Sequence, residues 1–155
     1  MMIAQEIHKI FSEKGYTLAT AESCTGGNIA HNITLMAGSS AYYLGGVVSY
    51  ANEVKTGVLG VNKENIERDG AVSESVVREM SEGARRITDA DFAVATSGIA
   101  GPGGGSAEKP VGTVWISASS PSETIAECHH FNGNRAEIIE KATEKAFFML
   151  LSLAK

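Results

Sequence analysis

The chain has 155 residues, of which 43% are hydrophobic and 20% charged, a composition that fits one globular domain (1–155) with a sizeable core. Its formal net charge is −5, from 13 basic and 18 acidic residues, and no cluster of Lys or Arg interrupts this acidic balance. We therefore expect neither a duplex nucleic-acid binder nor a membrane-surface protein.

Targeting and disulfide signals are absent from the sequence. Residues 1–6 lack a basic region before an apolar core, so we expect no signal peptide. No apolar run approaches the ~20 residues that span a bilayer. Cys24 and Cys128 are too few for a disulfide scaffold and lack zinc-ligand spacing. We expect a cytoplasmic protein with reduced thiols and no metal or cofactor.

Helical and strand patterns alternate along the chain. Strands are predicted from Thr17 to near Glu22 and over 45–51, 92–97, 111–118 and 124–131. Helices are predicted before Gly15, over 28–33, from Asn52 to Gly60, after a Ser73 cap, and after an Asn134–Glu137 capping pair. This order predicts an α/β fold, a three-layer α/β/α sandwich with a mixed, mostly parallel sheet of about five strands.

The stretch 21–27, Ala-Glu-Ser-Cys-Thr-Gly-Gly, lies where the first strand passes into a helix. A serine at such a turn, followed by two glycines, is exposed beside backbone N–H groups that can bind an anion. The alternative, which this stretch taken alone favours, is that Ser23 or Thr25 is only an N-cap and the glycines make only the turn.

A base for Ser23 is not evident from spacing. The four histidines lie away from the predicted strand ends and fit surface or core positions. Lys55, just after the second strand, could act if burial lowered its pKa, and Tyr50 could orient it or relay a proton. Spacing alone favours a solvated helix residue for Lys55. Cys24 is a competing nucleophile, but without a histidine partner it is interpreted as a buried thiol beside the site.

A glycine-rich loop over 98–106 follows the third strand. It is neither a Walker A loop nor a dinucleotide-binding Gly-x-Gly-x-x-Gly turn. Its glycines allow close backbone approach to a phosphate or an oxyanion, although a mobile surface loop is the alternative.

Several blocks of the sequence, in order, resemble the CinA C-terminal domain family. They cover nearly the whole chain and lie at 18–27, 45–55, 70–74, 97–104, 109–114 and 131–135. The resemblance implies an anticodon-binding-domain-like α/β/α sandwich. It also implies an amidohydrolase that converts nicotinamide mononucleotide to nicotinic acid mononucleotide and ammonia by a Ser/Lys mechanism. The chain lacks the extra N-terminal domain of full-length CinA proteins and so resembles the stand-alone members.

Carried over position by position, the resemblance makes Ser23 the nucleophile, Lys55 the general base and Tyr50 an assisting residue. Ser97 stands where the family usually has threonine; it keeps the hydroxyl, so a supporting catalytic role is expected. Arg135 is a candidate partner for the 5′-phosphate. The substrate-binding positions expected around these residues are Glu22, Thr25, Gly26, Gly27, Gly46, Gly98, Ala100, Gly101, Gly103, Gly104 and Arg135. An oxyanion would be stabilised by backbone N–H groups of 25–27 or 98–104.

Two other functions fit the same sequence. One is a non-catalytic nucleotide- or phosphate-binding module that uses the glycine loops. The other is a competence- or damage-associated interaction protein whose last helix packs on a partner. The segment 147–151 is apolar over more than one helical stripe, so we also expect a homo-oligomer.

Overall fold

A central sheet of five strands organises the computed structural model, which describes residues 2–155. The strands are β1 (Leu18–Glu22), β2 (Tyr43–Val48), β3 (Phe92–Gly98), β4 (Thr113–Ser119) and β5 (Thr124–His130). All five match predicted strands, but β2 lies earlier than predicted. Gly46 lies inside β2 and packs closely on Thr20 of β1. A Cβ atom at this position would lie 2.1 Å from the Thr20 Oγ1 atom, so only glycine fits there.

The spatial order of the sheet is β2-β1-β3-β4-β5. Strands β2, β1 and β3 are parallel neighbours, whereas β4 runs antiparallel to both β3 and β5. Four strands therefore share one direction, which confirms the mixed, mostly parallel sheet. Glu22, the last residue of β1, pairs with Val48 on one side and Thr96 on the other, so three strand ends meet at one edge.

Within residues 2–155, six α-helices flank this sheet. They are α1 (Met2–Lys14), α2 (Asn28–Thr34), α3 (Asn52–Gly57), α4 (Lys63–Asp69), α5 (Glu74–Thr88) and α6 (Arg135–Ala154). Helix α4 was not predicted, because none of its residues is buried and it has no apolar stripe. The signal that could have revealed it is Asn62, whose side chain accepts a hydrogen bond from the Glu64 N–H and caps the helix.

Two apolar layers separate the helices from the sheet. On one face, Leu18, Phe92 and Val94 pack with α1, α2 and α6. On the other face, the small side chains of β1 and β3 pack against α5 and the segment that carries Leu59 and Val61. This alternation along each strand is the period-two pattern of a sheet buried on both faces, and it confirms the three-layer sandwich.

The predicted caps differ in outcome. Asn134 and Glu137 form the reciprocal capping box at the start of α6. Ser73 precedes α5, but its hydroxyl donates to the Gly70 carbonyl at 2.7 Å rather than accepting from the helix, so the side-chain cap is wrong.

Helix α6 buries more than one stripe within this chain. Of the apolar run 147–151, Phe147, Met149, Leu150 and Leu151 are buried and only Phe148 is half-exposed. The helix packs on β3 and β4 and, at its flanks, against the neighbouring helices α1 and α2, so more than one of its sides is covered. The apolar residues of 147–151, which suggested contact with a partner subunit, are therefore mostly covered by other parts of the same chain. Among residues 2–155, no helix is both long and apolar enough to cross a bilayer.

Candidate active site

A pocket of about 260 Å³ opens beyond the carboxyl ends of β1 and β3. Parallel sheets bind ligands at this edge, where the backbone leaves the strands. Its lining comes from the turn after β1, the glycine loop after β3 and the residues that flank them: Ser23, Cys24, Tyr50, Gly98, Ile99, Ala100, Gly101, Gly103, Gly104 and Arg135.

Ser23 lines this pocket, and Lys55, which is not a lining residue, contacts Ser23 from the protein interior. The Lys55 Nζ atom lies 3.1 Å from the Ser23 Oγ atom. Ser23 follows β1 directly, and its N–H donates to the Thr96 carbonyl of β3 at 3.0 Å. Lys55 lies on α3, after the neighbouring strand β2, and is only 1% exposed. The interpretation of Lys55 as a solvated helix residue is wrong.

Two backbone carbonyls orient the Lys55 amine. The Nζ atom donates to the Ser49 carbonyl at 2.7 Å and lies 3.3 Å from the Tyr50 carbonyl. A neutral amine has two N–H groups and one lone pair, so these carbonyls can take both hydrogens and leave the lone pair for the Ser23 hydroxyl. Burial lowers the pKa of Lys55, although Cys24 and Glu53 partly oppose this shift. The geometry is that of a serine hydroxyl beside a buried amine with a lowered pKa, the arrangement that a serine nucleophile with a lysine base requires.

Cys24 lines the pocket but is not prepared to act as a nucleophile. Burial raises the pKa of its thiol to about 11, outweighing a hydrogen bond with Thr96 that lowers it. The reactive form of cysteine is the thiolate, so at neutral pH Cys24 is a protonated thiol.

Tyr50 reaches both the lysine and Arg135, through different atoms. Its carbonyl is near Lys55, as described above, whereas its phenol oxygen accepts a hydrogen bond from Arg135 at 2.9 Å. The second Arg135 terminal nitrogen donates to the Gly101 carbonyl at 2.6 Å. Arg135 thus bridges the β2–α3 turn and the glycine loop and brings a positive charge to the pocket.

Glu22 is placed differently from the expectation that it binds substrate. Both carboxylate oxygens are used inside the protein: Oε1 accepts from Thr25 Oγ1 and the Ile29 N–H, and Oε2 accepts from the Ala30 N–H. The residue is 1% exposed and does not line the pocket. Its carboxylate instead caps the start of α2, where N–H groups lack helical partners.

Other expected binding positions also lie outside the pocket lining. The Ser97 hydroxyl donates to the Ala71 carbonyl at 2.8 Å, on the α5 side of the sheet. Thr25 is buried with Glu22 and Thr96, and Gly46 packs on β1. Gly27 has a φ of 102° at the N-cap of α2, a conformation that favours glycine, so it shapes the turn. Gly26 likewise belongs to this turn, since its N–H donates to the Ser23 carbonyl.

The glycine loop does line the pocket, as expected, at Gly98, Ala100, Gly101, Gly103 and Gly104. Within residues 2–155, no backbone carbonyl accepts from the N–H groups of Ala100 and Gly101, nor from that of Thr25 near Ser23. These three donors are therefore free to bind a ligand oxygen, whereas the Cys24 N–H bonds to its own sulfur. By contrast, the N–H groups of Ile29 and Ala30 are occupied by Glu22.

Sequence reasoning missed the carbonyls of Ser49 and Tyr50 as lysine acceptors. Backbone acceptors carry no residue-type signal, so only their position after β2 could have suggested them. No group of three or more His, Cys, Asp or Glu side chains that could hold a metal ion occurs in the described part of the chain.

Comparison with known proteins agrees with this architecture. The family model described as "CinA C-terminal domain" matches residues 1–154. The nicotinamide-nucleotide amidohydrolase PncC of Escherichia coli strain K12 is 47% identical over 147 residues, which cover 94% of this chain and 89% of that protein. A putative competence-damage inducible protein of Halothermothrix orenii is 45% identical over 99% of this chain but only 37% of its own length.

Solved structures show the same fold. The crystal structure of the competence/damage inducible protein CihA from Agrobacterium tumefaciens has a TM-score of 0.97 and 41% identity, covering 99% of this chain and 94% of that one. A CinA superfamily protein from Klebsiella pneumoniae 700603 has a TM-score of 0.95 and 35% identity, covering 99% of this chain and 96% of that one. The matched family model and these relatives together show that this chain belongs to the CinA C-terminal domain family.

Proposed function

We propose that this protein is an amidohydrolase that converts nicotinamide mononucleotide to nicotinic acid mononucleotide and ammonia, a step of pyridine nucleotide salvage. The observation that carries the proposal is the buried contact between Lys55 Nζ and the Oγ atom of Ser23, a residue that lines the pocket. The similarity to PncC of E. coli, over nearly the full length of both chains, supplies the substrate.

The first half of the proposed reaction forms an ester on Ser23. The neutral Lys55 amine takes the Ser23 proton as Oγ bonds to the carboxamide carbon, and the carbonyl oxygen becomes an oxyanion. When the tetrahedral intermediate collapses, the carbon–nitrogen bond breaks and the Lys55 ammonium gives its proton to the leaving nitrogen. Ammonia departs, and the nicotinoyl group stays on Ser23.

Hydrolysis of that ester completes the cycle. Lys55, again neutral, takes a proton from water as the water oxygen attacks the ester carbon. Collapse breaks the carbon–Oγ bond, Lys55 returns the proton to Ser23, and the carboxylic acid is released. The free N–H group of Thr25, or those of Ala100 and Gly101, are the donors proposed for the oxyanion; each is worth about 3 kcal/mol in comparable sites.

Arg135 is the proposed partner of the 5′-phosphate. Its guanidinium lies at the pocket, and a phosphate could replace the Tyr50 oxygen or the Gly101 carbonyl as its acceptor. Replacing Arg135 with Met should raise the KM for nicotinamide mononucleotide about 30-fold, the equivalent of one charged hydrogen bond of about 2 kcal/mol. For nicotinamide riboside, which lacks the phosphate, the same change should alter KM little.

Ammonia release from nicotinamide mononucleotide tests the function. Wild type should release ammonia, and Ser23→Ala should reduce kcat by about 1,000-fold or more. Ser152→Ala, remote from the pocket on α6, is the matched control and should keep full activity. A wild-type protein that binds the nucleotide but releases no ammonia would instead support a non-catalytic binding module.

We also propose that residues 1–155 act as one domain in a cytoplasmic homo-oligomer. Exposed Met2 and Phe148 flank a groove of about 580 Å³ between α1 and α6, which supports a contact between subunits. Elution as a monomer in size-exclusion chromatography at micromolar concentration would contradict the oligomer.

A further inference from the structure

We propose that Glu22 is a positioning residue that holds the Ser23 hydroxyl within reach of Lys55. The inference rests on the proposed Ser/Lys reaction and assigns it a residue that does not touch substrate. Glu22 is buried, it immediately precedes Ser23, and the mechanism above does not use it.

The Glu22 carboxylate closes the turn that carries Ser23. It accepts from the Thr25 hydroxyl at 2.6 Å, from the Ile29 N–H at 2.9 Å and from the Ala30 N–H at 3.0 Å. All three donors follow Ser23 in the chain. The carboxylate therefore fastens the segment that follows Ser23 at residue 25 and again at 29 and 30, and this limits the movement of Ser23 away from the pocket.

The backbone of the same residue fixes the lysine side of the pair. The Glu22 carbonyl accepts from the Ser49 N–H at 2.8 Å, and the Ser49 carbonyl accepts from Lys55 Nζ at 2.7 Å. The Glu22 side chain thus binds the turn that carries Ser23. The Glu22 backbone binds the turn that orients Lys55.

Only a carboxylate fits these three donors. Two N–H groups and one O–H group converge on it, and an ionised carboxylate accepts hydrogen bonds without donating any. A glutamine has nearly the same shape, but its amide nitrogen would face at least one backbone N–H in either orientation. A donor facing a donor in a buried site displaces the segment or leaves a polar group unpaired.

Steady-state kinetics of Glu22→Gln distinguish positioning from simple stabilisation. We expect kcat to fall about 10- to 100-fold, since displacement of a reacting group by about 1 Å costs on that order. The KM should change less than about twofold, because Glu22 does not line the pocket. The matched control is Glu79→Gln: Glu79 accepts from the Asn62 N–H at the start of α4, away from the pocket. It should lose stability but keep wild-type kcat.

Thr25 provides a second, milder test should Glu22→Gln fail to fold. Thr25→Val removes the hydroxyl that donates to Glu22 and should lower kcat about 5- to 20-fold. Thr25→Ser keeps that hydroxyl and should have a kcat several-fold higher than that of Thr25→Val. Equal kcat in both Thr25 variants would overturn the proposal.

A crystal structure of Glu22→Gln gives a readout that needs no substrate. The distance between Lys55 Nζ and Ser23 Oγ should exceed about 3.5 Å, beyond a hydrogen bond. If that distance and kcat both match wild type, while thermal stability falls as in Glu79→Gln, Glu22 is only structural and the proposal is wrong. If wild type releases no ammonia from nicotinamide mononucleotide, the proposed function fails, and the distance alone supports or overturns the role of Glu22.

Discussion

Lys55 Nζ lies 3.1 Å from Ser23 Oγ, although the two residues are 32 positions apart in the chain. The contact arises because β1 and β2 are parallel neighbours, so the turns that leave their carboxyl ends lie side by side. Lys55, one turn into α3, points back to these ends and is buried there. The fold therefore brings to Ser23 the buried amine that we propose as its base.

The pH dependence of the reaction should follow Lys55. Burial lowers the pKa of Lys55 below its ordinary value of 10.5, and only the neutral amine can accept the Ser23 proton. We expect kcat/KM to rise with pH and to level off above this lowered pKa. Lys55→Met should remove both the activity and its pH dependence. Lys63→Met, which removes an exposed lysine on α4, should keep the wild-type profile.

The stability of the folded protein should also depend on the protonation of Lys55. Below the lowered pKa, Lys55 is charged in the folded and unfolded states, and the cost of burying the charge is fully present. Between that pKa and 10.5, only the unfolded state keeps the proton, so folding becomes more favourable as pH rises.

Urea unfolding at several pH values measures this effect. The free energy of unfolding of wild type minus that of Lys55→Met should increase as the pH rises from the lowered pKa of Lys55 to 10.5. The increase should be at most about 1.4 kcal/mol per pH unit. A difference that falls as pH rises would show that the pKa of Lys55 is raised on folding, contrary to our account.

Cys24 should be dispensable for the reaction. Its thiol lines the pocket, but burial raises its pKa to about 11, so little thiolate exists at neutral pH. We expect Cys24→Ala to keep kcat within about threefold of wild type, with any loss coming from a small cavity. A loss as large as that of Ser23→Ala would identify Cys24 as the nucleophile.

Tyr50 should assist through its backbone more than through its phenol. The carbonyl of Tyr50 is near Lys55, whereas the phenol oxygen contacts Arg135. Tyr50→Phe keeps the carbonyl and should lower kcat less than about threefold. A fall of about 100-fold would indicate that the phenol relays a proton in the reaction.

Much of this architecture could be predicted because it depends on local patterns. The Asn134–Glu137 capping pair and the apolar strands predicted at 92–97 and 111–118 are visible as short stretches of sequence. Helix α4 was not visible, because it buries no side chain and has no apolar periodicity to detect.

The site was only partly predictable, for a different reason. Ser23 stood out as a serine between a strand and two glycines, but the role of Lys55 came from a family resemblance. Its burial depends on the pairing of β1 with β2, which residue spacing does not reveal. Glu22 was expected to bind substrate because it ends a strand. Side chains at a strand end can point either into the pocket or into the core, and Glu22 points to α2.

Trapping of the ester intermediate tests the central claim most directly. Wild type mixed with nicotinamide mononucleotide and quenched in acid within the first turnovers should carry added mass equal to nicotinic acid mononucleotide less one water. Peptide mapping should place this mass on Ser23, and Ser23→Ala should show none. Added mass on Cys24, or ammonia release by Ser23→Ala at the wild-type rate, would contradict the assignment of Ser23 as the nucleophile.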